Sequence, residues 1–347
     1  MQRPETRNLK PEGLDILHSG FCSLNSELSN PSLLPLGIGL VGLGRWGSNY
    51  ARTLLTLPEC RLIAAADTNP AARTRAGLEL GIAVRASFEE LLADTSVTAL
   101  CIATPDRTHF RLASEALAAG RDVLVEKPMA LEPDEAETLA GQAEAGRRVL
   151  AVGHTAVYDP GFMALMNGLA AEPLRPRRQA SAVRTSRGYT DGRSNPIYDL
   201  CPHDLAMAVL LFGSPVAARA SCVRTGVEYE VRFAGDALLH GQAEWREPPH
   251  TRRFEVAGPG GQTELSDLTG SGNLAGDVRN SPLGRQCLDF IACCCSRRQP
   301  LSNGQLGLEV TRCLAAMATS CADSSEWVPL TGVVRRPPSA RNCVPVA

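Results

Sequence analysis

From Leu36 onward, short continuous apolar runs alternate with longer amphipathic stretches. Gly37–Gly42 reads as a buried strand and Ser48–Leu57 as the helix that follows it. Arg61–Asp67 predicts a second strand and Pro70–Leu80 a second helix; a short strand at Ala83–Arg85 precedes a helix at Phe88–Ala93. Thr98–Thr104 is a long apolar run, followed by a helix over His109–Ala119 with Gly120 as its stop signal. Asp122–Glu126, Pro133–Ala145 and Val149–Val152 continue the series as strand, helix and strand. Strands buried on both faces and separated by helices predict a parallel, doubly wound α/β sheet.

The second half carries a different rhythm. Helices are expected near Pro160–Leu169 and His203–Phe212, on either side of a Pro/Arg-rich connection. Strand-like runs follow at Ala217–Arg224, Glu228–Phe233, Ala237–Trp245, Arg252–Val256 and Thr263–Leu265, with a turn expected at Gly258–Gly261. Leu283–Cys295 and Gly307–Ala322 then read as helices. Consecutive strands with short connections predict an α+β unit with a mixed, largely antiparallel sheet. The expected organisation is a polar arm over 1–35, a Rossmann-type domain over 36–153, an α+β substrate and oligomerisation domain over 154–330, and a loose tail over 331–347.

A length of 347 residues accommodates two such domains. Lys and Arg total 35 against 37 Asp and Glu, so a net charge of −2 gives no general attraction to nucleic acid. No apolar run reaches the ~18–20 residues that span a bilayer, and Met1–Pro35 has no charged start followed by an apolar block. A cytoplasmic location is therefore expected. The 12 cysteines are scattered with no C-x-x-C pair, and the adjacent Cys293, Cys294 and Cys295 diverge on a helix. They predict reduced, mostly buried thiols and no metal site. One imbalance bears on chemistry. The chain has 33 arginines but only two lysines, Lys10 in the arm and Lys127 in the body. Lys is a compact donor with a movable pKa, whereas Arg stays charged and planar, so a site needing the former behaviour could not accept the latter.

Gly42-Leu-Gly44-Arg45-Trp46-Gly47 fits G-x-G-x-x-G between the first strand and helix, the pattern that lets a pyrophosphate approach the backbone at a helix N-terminus. Asp67 ends the second strand 25 residues after Gly42, where an acid binds ribose hydroxyls. A carboxylate there repels a 2′-phosphate, so NAD is favoured over NADP, with Arg73 and Arg75 nearby as the opposing signal. Three segments fall at the carboxyl ends of later strands, where open α/β sheets bind ligands. These are Ala103-Thr104-Pro105-Asp-Arg-Thr-His109, Glu126-Lys127-Pro128 and Gly153-His154-Thr155. Asp199 and His203 are four residues apart and share a helix face; Pro202 between them places the pair at a helix start. A His and an acid projecting together suit proton transfer from an alcohol.

These pieces, in this order, resemble the glucose–fructose oxidoreductase/inositol dehydrogenase (Gfo/Idh/MocA) family from about Leu36 to Ser320. The resemblance implies a Rossmann domain and a C-terminal mixed sheet with NAD and a polyol or sugar meeting between them. It also implies a homodimer or homotetramer formed through that sheet's open face. Carried onto this chain, it gives Lys127, Asp199 and His203 as catalytic residues. The cofactor contacts become Gly42, Gly44, Arg45, Trp46, Gly47, Asp67, Thr104, Pro105, His109 and Glu126, with His154 added on the substrate side. Two departures concern the substrate. Ala206 stands where the family often has a second acid, and Ala156-Val157-Tyr158-Asp159 stands where it often has Arg or Asn, leaving Tyr158 or Asp159 to make that contact. The expected activity is NAD-dependent hydride exchange at a secondary alcohol of an inositol-type cyclitol, aminocyclitol or sugar. The alternatives are reduction of a nucleotide-linked keto-sugar, a redox-neutral reaction on tightly held NAD, and a non-catalytic nucleotide sensor. The Arg- and Ala-rich composition fits a high-GC bacterial source, in which such an enzyme would suit antibiotic biosynthesis.

Overall fold

The structure is a computed structural model that describes residues 35–170, 179–188, 195–223, 225–258, 261–265 and 277–330. The arm and tail expected at the two ends, and the tip of the turn between Gly258 and Gly261, lie outside the described residues.

The first sheet is built from β1 (Leu36–Val41), β2 (Cys60–Ala66), β3 (Val84–Arg85), β4 (Ala99–Ile102), β5 (Asp122–Val125) and β6 (Leu150–Val152). Its spatial order is β3-β2-β1-β4-β5-β6 and every pairing is parallel. Helices α1 (Arg45–Leu55), α2 (Pro70–Leu80), α3 (Phe88–Ala93), α4 (His109–Ala118) and α5 (Pro133–Ala145) connect these strands. β1, β4, β5 and β6 are buried almost throughout, which matches their continuous apolar runs. The chain leaves β1 toward β2 on one side, while β4 follows on β1's other side. The turns after β1 and β4 therefore diverge and open a crevice at the carboxyl ends of the strands.

A short 3₁₀ turn at Thr155–Tyr158 and α6 (Pro160–Ala170) lead into the second unit. Its sheet comprises β7 (Gln179–Ser186), β8 (Pro215–Val223), β9 (Gly226–Phe233), β10 (Leu238–Trp245), β11 (Arg252–Gly258), β12 (Gly261–Leu265) and β13 (Val328–Pro329). The order is β12-β11-β7-β10-β9-β8-β13, antiparallel except for the parallel β7–β10 pair. α7 (Pro196–Phe212) and α9 (Gly304–Ala322) cover one face, sharing a core with Phe254, Tyr229, Val231 and Leu239. Both units thus have the predicted architecture. The other face is charged and internally paired: Arg219 with Glu230, Glu230 with His240, Gln242 with Glu228, and Ser181 with Glu255.

Three local expectations are corrected. The Pro/Arg-rich connection contains β7, whose inward positions Ala180, Ala182 and Arg184 are small or charged and give no large apolar signal. The helix expected at His203 begins at Pro196, because the Asn195 side chain caps it by accepting the Ile197 N–H and Pro196 suits the first helical position. Pro202 therefore lies in the helix interior, not at its start; burial of Ile197, Leu200 and Cys201 offsets its missing hydrogen bond. Finally, α8 (Pro282–Ser296), although late in the chain, packs into the first unit through Leu283, Cys287, Phe290 and Cys294 against Tyr50 and Ile38. Seven of the described cysteines are buried, including Cys293 and Cys294 of α8, while Cys295 is exposed.

Candidate active site

The glycine-rich turn after β1 is shaped by its residues. Gly42 has φ +96°, a conformation that strains other residues, and a Cβ there would meet the Ala103 carbonyl oxygen at 2.4 Å. A Cβ on Gly47 would fall 1.9 Å from the Gly42 carbonyl oxygen, so this glycine lets α1 close onto the strand. Gly44 has no atom within 4 Å of its would-be Cβ, which leaves the backbone open to an approaching ligand. Its neighbour Arg45 is exposed and Trp46 half-buried. Asp67, just beyond β2, accepts the Leu43 N–H at 2.7 Å and the Asn69 N–H at 2.8 Å, so it braces the turn while remaining partly exposed. Arg73 and Arg75 donate to the carbonyls of Asp67 and Leu43. An open cradle at a helix start, with a carboxylate beside it, fits a dinucleotide: the Gly42–Gly47 backbone for the pyrophosphate and Asp67 for the ribose.

Across the crevice stands Lys127, directly after β5, with a cis bond to Pro128. Its Nζ donates to the Asp199 carbonyl oxygen at 2.6 Å and to Asp199 Oδ1 at 3.1 Å. The Trp245 indole N–H donates to Asp199 Oδ2 at 3.0 Å. Asp199 is therefore held from two sides, and it orients the ammonium rather than the imidazole of His203. His203 lies one helical turn further along α7, with Nδ1 buried and without a partner among the described residues. Burial, followed by the charges of Arg184 and Lys127, pushes its pKa well below the usual imidazole value, so it is neutral at pH 7.

His154, just after β6, completes this group. It is fully buried, its Nδ1 meets Ser302 Oγ at 3.0 Å, and its Nε2 has no partner among the described residues. Burial, with the charge of Lys127, lowers its pKa from 6.5 to about 3. Unpartnered nitrogens buried beside an ammonium are costly unless a ligand meets them.

These depressed values predict that acid destabilises the fold. Below 6.5 the unfolded chain takes up a proton at His154, whereas the folded chain resists protonation down to about 3. This stability contribution is complete above 6.5 and is lost as pH falls toward about 3; His203 and His109, also lowered, act in the same sense. Thermal unfolding across that window should show Tm dropping steadily with acid, and a His154→Gln variant should show a shallower slope. An equal slope in the variant would refute the assignment.

Four of the expected site residues have partners within the protein. The His109 ring nitrogens lie 2.8 Å from the carbonyl oxygens of Pro128 and Thr104, so this buried residue clamps the turn after β4 to the Lys127–Pro128 turn. The Glu126 carboxyl points inward, accepting from the Tyr50 hydroxyl at 2.8 Å and the Lys127 N–H at 3.1 Å; burial raises its pKa. Tyr158 is fully buried and donates to Asp289 Oδ2 at 2.8 Å while its oxygen accepts the Ser302 N–H, so it joins α8 to the segment before α9. Asp159 caps α6 through the N–H groups of Gly161 and Phe162. Thr104 and Pro105 stay at the strand exit, Thr104 Oγ1 accepting from Thr108.

Three residues of the site were not anticipated. Arg184 of β7 makes a buried forked pair with Asp204, its Nε and Nη2 both donating to the carboxylate. This pins α7 to the sheet at the residue next to His203. Trp245 at the end of β10 holds Asp199, and Ser302 holds His154. Their only sequence signals were a charged residue at an inward strand position, an aromatic at a strand terminus and a serine before a helix.

A parallel sheet with an open glycine turn thus faces the Lys127–Asp199 pair and the His203 imidazole of the second unit. Residues 36–154 match the model of an oxidoreductase family with an NAD-binding Rossmann fold. Through this segment the chain is similar to the Gfo/Idh/MocA oxidoreductases. It is 32% identical over 196 residues to a UDP-N-acetylglucosamine 3-dehydrogenase of Acidithiobacillus ferrooxidans, covering 54% of this chain and 58% of that protein. It is 35% identical over 144 residues to an inositol 2-dehydrogenase of Rubrobacter xylanophilus, covering 39% of this chain and 40% of that protein. The chain thus spans roughly half the length of these curated relatives. The solved structure of GenD2 from gentamicin A biosynthesis, in complex with NAD, superposes with a TM-score of 0.77 at 24% identity, over 86% of this chain and 97% of that one. That likeness extends the shared fold through the second sheet.

Proposed function

We propose that this protein exchanges a hydride between a secondary alcohol or ketone of a sugar or cyclitol and bound NAD. The observation that carries the reading is the convergence of Lys127, from the Rossmann side, with Asp199 and His203, from α7, opposite the open glycine turn. The nicotinamide would supply the hydride acceptor. His203, neutral at pH 7, takes the hydroxyl proton as the carbon is oxidised, and returns it in the reverse direction. Lys127 donates to the same oxygen and stabilises its alkoxide character. Asp199 is a positioning residue that fixes the ammonium, and Trp245 fixes Asp199. The printed names of the relatives, a UDP-sugar dehydrogenase and an inositol dehydrogenase, support a sugar or cyclitol alcohol as the reacting group.

The same reading includes a cytoplasmic oligomer assembled through the outer face of the second sheet. Since Arg219, Glu228, Glu230 and His240 lie on that face, its contacts would be polar and sensitive to salt. Among the described residues no helix is long and apolar enough to cross a membrane.

The test is nicotinamide reduction by the wild-type chain with inositols, aminocyclitols, free sugars and UDP-sugars, and ketone reduction in the opposite direction. Turnover with at least one of them, faster with NAD than with NADP, is the expected result. Binding of NAD without net redox in either direction across the panel would overturn the reading.

A further inference from the structure

The charges around His203 do not balance. Two cations there are matched by carboxylates: Lys127 by Asp199 and Arg184 by Asp204. In the antiparallel β7–β11 ladder Arg252 stands directly opposite Arg184. Paired residues of a ladder project to the same face about 5 Å apart, so Arg252 shares the face that carries Arg184 toward α7 and His203. Arg252 is half-buried and has no carboxylate partner among the described residues. From the opposite wall Arg45, at the start of α1, is also without one among them.

The electrostatics agree with this placement. Burial, then Arg184, then Arg45 lower the pKa of Arg252, so the guanidinium is opposed by its neighbours rather than stabilised by them. Arg252 in turn is among the charges that hold His203 neutral. Maintaining a half-buried guanidinium within the field of two others is unfavourable unless an anion compensates it. An oxyanion would reverse the sign of that term, and a forked guanidinium matches a phosphoryl or carboxylate group. Arg45 lies on the glycine turn and can answer a dinucleotide pyrophosphate. Arg252 lies across the crevice, on the domain that carries His203.

We infer that Arg252 binds an anionic group of the second ligand, so that the substrate is a sugar bearing a phosphoryl or carboxylate group rather than a neutral cyclitol. This deepens the hydride-transfer reading and rests on it for the identity of the reacting alcohol, but anion binding can be measured without turnover. The probes are UDP, glucose 6-phosphate and glucuronate, titrated calorimetrically into the NAD-loaded wild-type chain and into Arg252→Met and Arg252→Lys variants. At least one probe should bind wild type, about 10- to 100-fold more weakly to Arg252→Met, and with intermediate affinity to Arg252→Lys, which keeps the charge but loses the fork. NAD affinity, unchanged within about twofold in both variants, reports an intact fold and separates the substrate's anion from the dinucleotide's own pyrophosphate.

Failure of all three probes to bind wild type, equal binding to Arg252→Met, or a parallel loss of NAD affinity would each overturn the inference. Anion binding without any redox turnover would leave it standing and remove the hydride-transfer reading. Unaltered turnover of a neutral inositol by Arg252→Met, with no probe bound by wild type, would do the opposite.

Discussion

Lys127→Met is expected to lower kcat by about 10²–10⁴-fold, the contribution typical of a positioned acid–base or oxyanion-stabilising group. The side chain is only 11% exposed and its Nζ is fixed on both oxygens that Asp199 presents, so little reorganisation separates its resting position from a working one. NAD affinity should stay near that of wild type, because the glycine turn and Asp67 lie on other strands. Lys127→Arg should rescue little. A planar guanidinium cannot occupy the point between the Asp199 carbonyl and carboxylate in the same geometry, and a chain with 33 arginines retains its single body lysine there. Asp199→Asn should lower kcat less and shift the pH–rate profile, as a residue acting through the ammonium would. Steady-state rates with the substrate found in the panel, together with NAD titrations, check all three variants. Unchanged turnover in Lys127→Met would remove the mechanism.

The largest expected effect on stability belongs to the Arg184–Asp204 pair. Asp204→Ala leaves a guanidinium in the core without its carboxylate, and breaking such a buried pair costs about 3–5 kcal/mol where both side chains are nearly inaccessible. Arg184→Met combined with Asp204→Leu should cost much less than either charge removed alone, because replacing both partners by apolar groups also removes the desolvation penalty. Urea unfolding of the single and double variants measures this directly. Since Asp204 adjoins His203, the double variant should fold but turn over slowly, with its pH–rate profile displaced by the loss of the Arg184 charge that helps hold His203 neutral. Additive destabilisation in the double variant would show that the pair is not coupled.

Reading positions from the chain succeeded where a local pattern fixes them in the fold. Gly42–Gly47, Asp67 and Lys127 each follow a strand at its carboxyl end, and the apolar runs that define those strands are continuous. It failed for polar side chains whose direction depends on partners distant in sequence. Glu126 and Tyr158 look equally available in the sequence, yet the first is drawn inward by Tyr50 and the second by Asp289 and Ser302. The clamp that His109 makes was hidden for the same reason, since the Pro128 carbonyl it meets is 19 residues away.

The sequence by itself determined the parallel sheet, the glycine-rich turn and the residue types placed at the strand ends, because hydrophobic period, glycine spacing and strand ends are local properties. Only the tertiary structure decided that Asp199 holds Lys127 rather than His203, that β7 carries Arg184, and that Arg252 stands opposite it without a carboxylate. The physical reason is that hydrogen bonds and charge balance are pairwise: a polar side chain's role is set by what the fold brings to within about 3 Å of it, and no local pattern encodes that distance.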